Sequence, residues 1–401
     1  MRGKRIGLIT NQTGVDSQGR RTIDVLDHAQ GVKLVRLFSP EHGMAGRADA
    51  AVKNATDSAT GLPIYSLYGE TRRPTDEMLK DLDALVFDIQ DAGVRFYTYI
   101  TTMGYAMEEA ARRGTAFYVL DRPNPLGGEV IEGPMLDRDR LTFTGYFPMP
   151  VRYAMTMGEL ARMFNAENKI GAILHVIPMT NWRRNEAYDE TGLRWIPPSP
   201  NLRTLEQAFL YPGIEILQEG GVSVGRGTDT PFEIVGAPWI RGTDLAAELN
   251  RRAIPGVKFS TAIFTPTEGV YLGKYCQGVS IAITNRDSLR SLRMGLEIAD
   301  ALHRMYAKEF HLEKIILLHG SQATVDALAR GDAPAEIIRG WAPELEKFGA
   351  IREKYLLYDG RESQRNASSL TPPQQGSISG GSVAPIAVKD QAEKNQREPN
   401  R

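Results

Sequence analysis

A chain of 401 residues with 42% hydrophobic and 24% charged residues has the make-up of a globular protein of two or three ordinary domains. Its formal net charge of -1 gives no overall pull toward nucleic acid or anionic membrane, so binding of an acidic ligand falls to local arginines. A single cysteine, Cys276, excludes intramolecular disulfides and Cys-rich zinc sites.

No window approaches the ~20 apolar residues of a membrane span. The first strand begins almost at Met1, leaving no room for a signal peptide. That start fits either a cytoplasmic protein or a chain lacking its true N-terminus.

The first part alternates strands and helices. Strands are predicted at Arg5–Thr10, Val32–Phe38, Pro63–Leu67, Ala84–Ile89 and Ala116–Leu120, and helices at Thr22–His28, Thr75–Leu82 and Thr101–Arg113. Ala84–Ile89 is continuously apolar, as buried parallel strands are. This rhythm predicts a Rossmann-like, doubly wound α/β sheet over residues 1–150. A smaller α/β domain is expected over 151–359. Its predicted helices are Thr156–Asn165, opened by a capping box with Glu159, Leu245–Arg252, Leu289–Phe310 and Ala335–Arg352. Its predicted strands are Leu174–Met179 and Gly278–Thr284, with Cys276 at the buried start of the latter. Residues 360–401 are polar without apolar period and are expected to be disordered.

Sheets of this class bind ligands beyond the carboxyl ends of their strands. Polar residues collect there: Asn11 after the first strand, Ser39–Gly43 after the second, Glu70 after the third, Asp88, Gln90, Asp91 and Arg95 after the fourth, and Asp121, Arg122 and Asn124 after the fifth. Glu41, desolvated by Phe38 and Pro40, has the setting of a carboxylic acid with a raised pKa, suited to donate a proton. Glycoside hydrolysis needs such a donor and a second group. Asp88, Asp91, Glu70, Glu132 and Asp121 are open choices for it, each with a structural reading as turn cap, solvated charge or ion pair. His42 is expected to bind substrate hydroxyls or orient the acid, since none of the 6 histidines has the spacing of a helical metal pair. Arg95, Arg122 and Arg226 can grip a carboxylate with two bonds or pair with nearby aspartates. Gly225–Thr228 lacks the Lys-Ser/Thr of a P-loop, and no dinucleotide fingerprint follows the first strand, so a nucleotide cofactor is not expected.

Several segments together resemble the exo-β-N-acetylmuramidase family, long catalogued as a domain of unknown function. They are Gly7–Asn11, Phe38–Gly43, Thr60–Pro63, Tyr65–Gly69, Phe87–Tyr99, Asp121–Pro125, Pro198–Asn201 and Gly225–Thr228. The resemblance runs from Gly3 to about Tyr358. It implies a Rossmann-like domain and a smaller α/β domain with the active site in the cleft between them. The implied activity is a glycosidase releasing terminal N-acetylmuramic acid from the non-reducing ends of peptidoglycan fragments, with no cofactor or metal and with Glu41 as catalytic carboxylate. His42, Asp88 and Glu70 are the accompanying catalytic candidates. Asn11, Gln90, Asp91, Arg95, Tyr97, Asp121, Arg122, Asn124, Asn201, Arg226 and Thr228 are the expected substrate-binding residues. The family resemblance also implies export to the periplasm or exterior. The chain departs from the family at Tyr153, where members often have histidine, and at Gly46–Ala50, where the acidic residue often seen soon after the Glu-His-Gly turn is missing, though Asp49 lies nearby. The alternative reading is a protein that holds a cell-wall sugar without cleaving it.

Overall fold

The computed structural model describes residues 1–48, 51–198 and 200–359, and the two-residue strand Val388–Lys389. The expected disordered tail therefore lies outside the described residues apart from that strand, as do Asp49 and Ser199.

Besides the paired two-residue strands Val15–Asp16 and Val388–Lys389, the strands in chain order are β1 (Lys4–Thr10), β2 (Val32–Ser39), β3 (Ala55–Thr56), β4 (Pro63–Ser66), β5 (Ala84–Asp88), β6 (Ala116–Leu120), β7 (Glu132–Met135), β8 (Pro150–Arg152), β9 (Leu174–Ile177), β10 (Ile234–Ala237), β11 (Val257–Phe264) and β12 (Cys276–Ile283). Seven build one sheet in the order β9-β6-β5-β1-β2-β4-β3. All its pairings are parallel except β3 with β4. The chain runs outward from β1 through β2 to β4, then returns to lay β5 on the other side of β1. The order therefore reverses between β1 and β5, where such sheets open a crevice for ligands.

Alternation along the strands gives the sheet two apolar faces. Ile6 and Leu8 of β1, with Ala84 and Val86 of β5, meet Ile23 and Leu26 of the helix α1 (Thr22–Asp27). Ile9, Leu85, Phe87 and Phe117 point the other way, onto Met103, Ala106, Met107 and Ala110 of the helix α2 (Tyr99–Arg113). Each of these large side chains is wholly or nearly wholly buried, and such burial stabilises by roughly 1.5–3 kcal/mol per side chain. Gly114 at φ 67 stops α2 with a left-handed cap.

The sheet draws one strand from beyond residue 150. Leu174–Ile177, which the sequence pattern groups with the second unit, pairs parallel with β6 as an edge strand. The helix α3 (Met157–Glu167) carries the crossover, opened by the expected capping box of Thr156 and Glu159. The smaller sheet is antiparallel with β12 central between β10 and β11. Cys276 is buried and unbridged in it, a core residue as expected. No helix among the described residues is long and apolar enough to cross a membrane.

The helix α4 (Leu205–Gln218) and the strands β7, β8, β10 and β11 were not legible in advance. α4 is buried from Leu205 to Gln218 except at Glu206 and carries Pro212 and Gly213 inside it, so it has neither an amphipathic stripe nor an unbroken run of helix formers. The predicted helix Leu289–Phe310 is shorter, Ser291–Met305 (α5), because Tyr306 leaves helical geometry at φ -141.

α4 and α5 cross at two glycines. A Cβ on Gly213 would lie 1.9 Å from the Ser291 carbonyl oxygen, and one on Gly295 would lie 2.2 Å from the Gly213 carbonyl oxygen. Backbone cannot move aside as a flexible side chain can. Gly213→Ala is therefore expected to destabilise by about 1–3 kcal/mol or more, read as a lower urea midpoint. An unchanged midpoint would mean the two helices are not held this closely.

Candidate active site

The Ser39–Gly43 turn leaves β2 beside the crevice. Gly43 N–H donates to the Pro40 carbonyl at 3.1 Å, closing a four-residue turn with His42 third. His42 has φ 75, a left-handed conformation that such turns usually give to glycine or asparagine. A histidine held there costs on the order of 1 kcal/mol, and strain of this kind concentrates at functional sites. Its Nδ1 is hydrogen-bonded to the Ala48 carbonyl, which fixes the ring.

Glu41 sits at the second position of the turn and is fully buried. The Thr98 hydroxyl, just before α2, donates to its Oε2. Tyr68 hydrogen-bonds the same carboxyl, and His42 Nε2 stands 3.6 Å from Oε1. Burial pushes the Glu41 carboxyl up to about 8, outweighing the hydrogen bonds from Thr98 and Tyr68 and the charges of Arg72 and Arg226, all of which pull it down. At neutral pH it is mainly protonated.

The surroundings of Glu41 come from both parts of the chain. From the large sheet, the Tyr68 ring lies 6.1 Å from that of His42 and 5.8 Å from that of Phe143. Arg72 packs over Tyr68 at 5.3 Å and over Phe143 at 4.6 Å. From the second part, Arg226 pairs with Glu215 of α4 at 2.8 Å and packs over Phe232 at 5.1 Å. Thr228 turns its hydroxyl back to the Gly225 carbonyl at 2.6 Å, shaping the loop that carries Arg226.

The other expected residues divide between the crevice and its framework. Asn11 donates to the Tyr99 hydroxyl at 3.2 Å, and Tyr97 donates to the Pro198 carbonyl at 2.9 Å. Gln90 spans to the Pro123 carbonyl at 2.7 Å. Asp91 accepts from Gly93 N at 2.7 Å and from the Tyr153 hydroxyl, and burial pushes it up to about 7. Gln90 Oε1, Asp91 Oδ1 and Asn201 Oδ1 are buried and have no hydrogen-bond partner in the structure.

Four candidates take the structural alternative that the sequence left open. Glu70 is exposed to solvent. Asp88 is instead in a fully buried ion pair with Arg122 at 2.7 Å; burial pushes its carboxyl up while the guanidinium pulls against it. Arg122 thereby takes the structural alternative. So does Arg95, which is fully buried and donates to the carbonyls of Pro134, Met149, Leu318 and His319 at 2.7–3.1 Å. Two residues are bound into the framework. Asn124 bridges Met155 O and Leu126 N, and Asp121 accepts from Thr156, Tyr358, Gly158 and Arg122 while burial pushes it up to about 6.

Sequence reasoning missed Thr98, Tyr68, Arg72 and Glu215. Glu215 left a signal, being the one charged residue within the apolar run Ala208–Leu217. Among the described residues no group of three or more His, Cys, Asp or Glu is arranged to hold a metal ion.

The chain matches two adjoining family descriptions, "Exo-beta-N-acetylmuramidase NamZ, N-terminal" over residues 6–206 and "Exo-beta-N-acetylmuramidase NamZ, C-terminal" over 209–358. The chain belongs to this family. It is 44% identical over 363 residues to the peptidoglycan β-N-acetylmuramidase NamZ of Bacillus subtilis (strain 168), covering 89% of this chain and 88% of that protein. Two crystal structures of DUF1343 family proteins from Bacteroides fragilis NCTC 9343 share the fold. One has a TM-score of 0.82 at 40% identity, covering 89% of this chain and 94% of that one. The other has a TM-score of 0.73 at 32% identity, covering 89% and 95%.

Arg95 offers a stability test of the framework. Arg95→Met removes the donors from four carbonyls in a dry site, so a loss of about 3 kcal/mol or more is expected in urea unfolding. A loss below about 1 kcal/mol would show that water replaces the guanidinium there.

Proposed function

We propose that this protein is an exo-acting β-N-acetylmuramidase that removes terminal N-acetylmuramic acid from the non-reducing ends of peptidoglycan fragments, with Glu41 as its proton donor. Family membership supports the reaction class. The observation that carries the residue assignment is the buried Glu41 carboxyl, raised to about 8 between two hydroxyl donors. Such an acid keeps its proton at neutral pH yet can release it to a leaving group.

In the proposed reaction Glu41 gives its proton to the glycosidic oxygen as the bond from that oxygen to the anomeric carbon breaks. Water supplies the hydroxyl that ends on the anomeric carbon, and its remaining proton restores the Glu41 acid. Thr98 and Tyr68 orient the carboxyl and stabilise the carboxylate formed midway. Glu215, buried and paired with the Arg226 whose charge reaches Glu41, is proposed as the second carboxylate of the site. Since Glu41 is wholly covered, a sugar reaches it only when the atoms covering it move aside. A peptidoglycan substrate fits the exported location that the family resemblance implies.

Glu41→Gln is expected to lower turnover of a chromogenic N-acetylmuramide by roughly 10²–10⁴-fold while the sugar still binds. Persistent turnover in that variant would reject Glu41 as the donor. A wild-type protein that binds muramides and hydrolyses none would support the binding-protein reading instead. The pH profile tests the same group. Glu41 works protonated, so kcat/KM should fall as pH rises through about 8.

Glu215→Gln should move that fall to lower pH. Removing the Glu215 charge leaves Arg226 uncompensated, and the added positive field favours the Glu41 carboxylate. An upward shift, or none, would separate the Arg226–Glu215 pair from the donor.

A further inference from the structure

Muramic acid differs from glucosamine by a lactyl ether that ends in a carboxylate, and a muramidase must detect that charge. Of the arginines the sequence offered, Arg95 is sealed among carbonyls and Arg122 is fully buried against Asp88. Arg226 lies at the site, but its charge is matched at 2.8 Å by the buried Glu215. Arg72 differs from all three because its side chain is exposed.

Resting on the glycosidase reading above, we infer that Arg72 is the specificity-determining residue that recognises the acidic substituent of the substrate sugar. Its guanidinium lies 5.3 Å from the Tyr68 ring centroid and 4.6 Å from that of Phe143. Stacking on rings uses the flat faces of a guanidinium, whereas gripping a carboxylate with two bonds uses its N–H edges, so one arrangement serves both. The aromatic shelf also fixes the side chain, which reduces the entropy lost on binding.

The same shelf ties Arg72 to the chemistry. Tyr68 lies under Arg72 and hydrogen-bonds Glu41, and its ring is 6.1 Å from that of His42. The field of Arg72 reaches the Glu41 carboxyl as well. A sugar whose glycosidic oxygen meets Glu41 thus presents its ring substituents within the span of Tyr68 and Arg72. A neutral sugar gains nothing from the cation and leaves its hydration unmatched, while an acidic one forms charge-assisted hydrogen bonds.

The test compares N-acetylmuramic acid with its lactyl amide, which has the same shape without the charge, by calorimetric binding to the full chain. The wild type is expected to prefer the acid by at least about tenfold, the range of charge-assisted hydrogen bonds. Arg72→Gln should abolish that preference by weakening the acid and leaving the amide nearly unchanged. Arg72→Lys should restore part of it, because a point charge remains without the fork. A wild type without preference, or an Arg72→Gln variant that keeps it, would overturn the assignment. Turnover of the chromogenic muramide is measured alongside. Preference without turnover would remove the glycosidase reading and leave Arg72 as the carboxylate reader.

Discussion

The removal of one carboxyl group from water governs the character of this cleft. Glu41 has zero exposure, and burial is the largest influence on its proton. Two hydroxyl donors and two guanidinium charges oppose that influence and do not overcome it. Hydroxyl groups hydrogen-bond a carboxylate without adding a compensating charge. Arg226 is in contact with Glu215, so much of its field is cancelled before it reaches Glu41. Desolvation therefore prevails, and the side chain is an acid rather than an anion near neutral pH. A single fully ionised cation in contact with Glu41 would reverse this and leave a base.

Keeping water out of such a place depends on a framework that is itself polar. The loops beyond the strand ends have no ladder to satisfy their carbonyl oxygens, and buried arginines gather them. Arg95 takes four carbonyls from three separate segments, and Arg352 and Arg184 both donate to the carbonyls of Gly128 and Ala154. The planar, five-donor guanidinium suits this use because one side chain can hold several acceptors at fixed angles. Buried arginines thus serve the framework.

Strands β1, β2, β4, β5 and β6 were legible because each is a short run rich in apolar residues, and α2 because it has a normal stripe. The polar strand ends followed from the same reading, which is why Glu41, Asn11 and Gln90 were found together. What stayed hidden depends on distance in space rather than spacing in sequence. Arg95 sits in the same polar run as Gln90 and Asp91, and no local pattern reveals that its partners lie at Pro134, Met149, Leu318 and His319. Asp88 looked like a catalytic acid and is paired with Arg122, 34 residues away. α4 has no amphipathic period because it is enclosed on nearly all sides, and so Glu215 was overlooked. The strand Leu174–Ile177, grouped by its sequence position with residues 151–359, pairs at the edge of the large sheet, and an edge position in a sheet is a tertiary fact.

The strength of Glu41 as an acid belongs to its buried setting rather than to the residue. Water admitted beside it would weaken the main influence raising its pKa. The two parts of the chain each bring one cation to this place, Arg72 from the side of the large sheet and Arg226 from the second part. Arg226 comes with its own counter-charge, Glu215, attached. The second part can therefore cover Glu41 and exclude water without delivering the positive charge that would strip its proton. Pairing Arg226 with a buried glutamate is in this sense a condition for keeping the Glu41 carboxyl protonated near neutral pH.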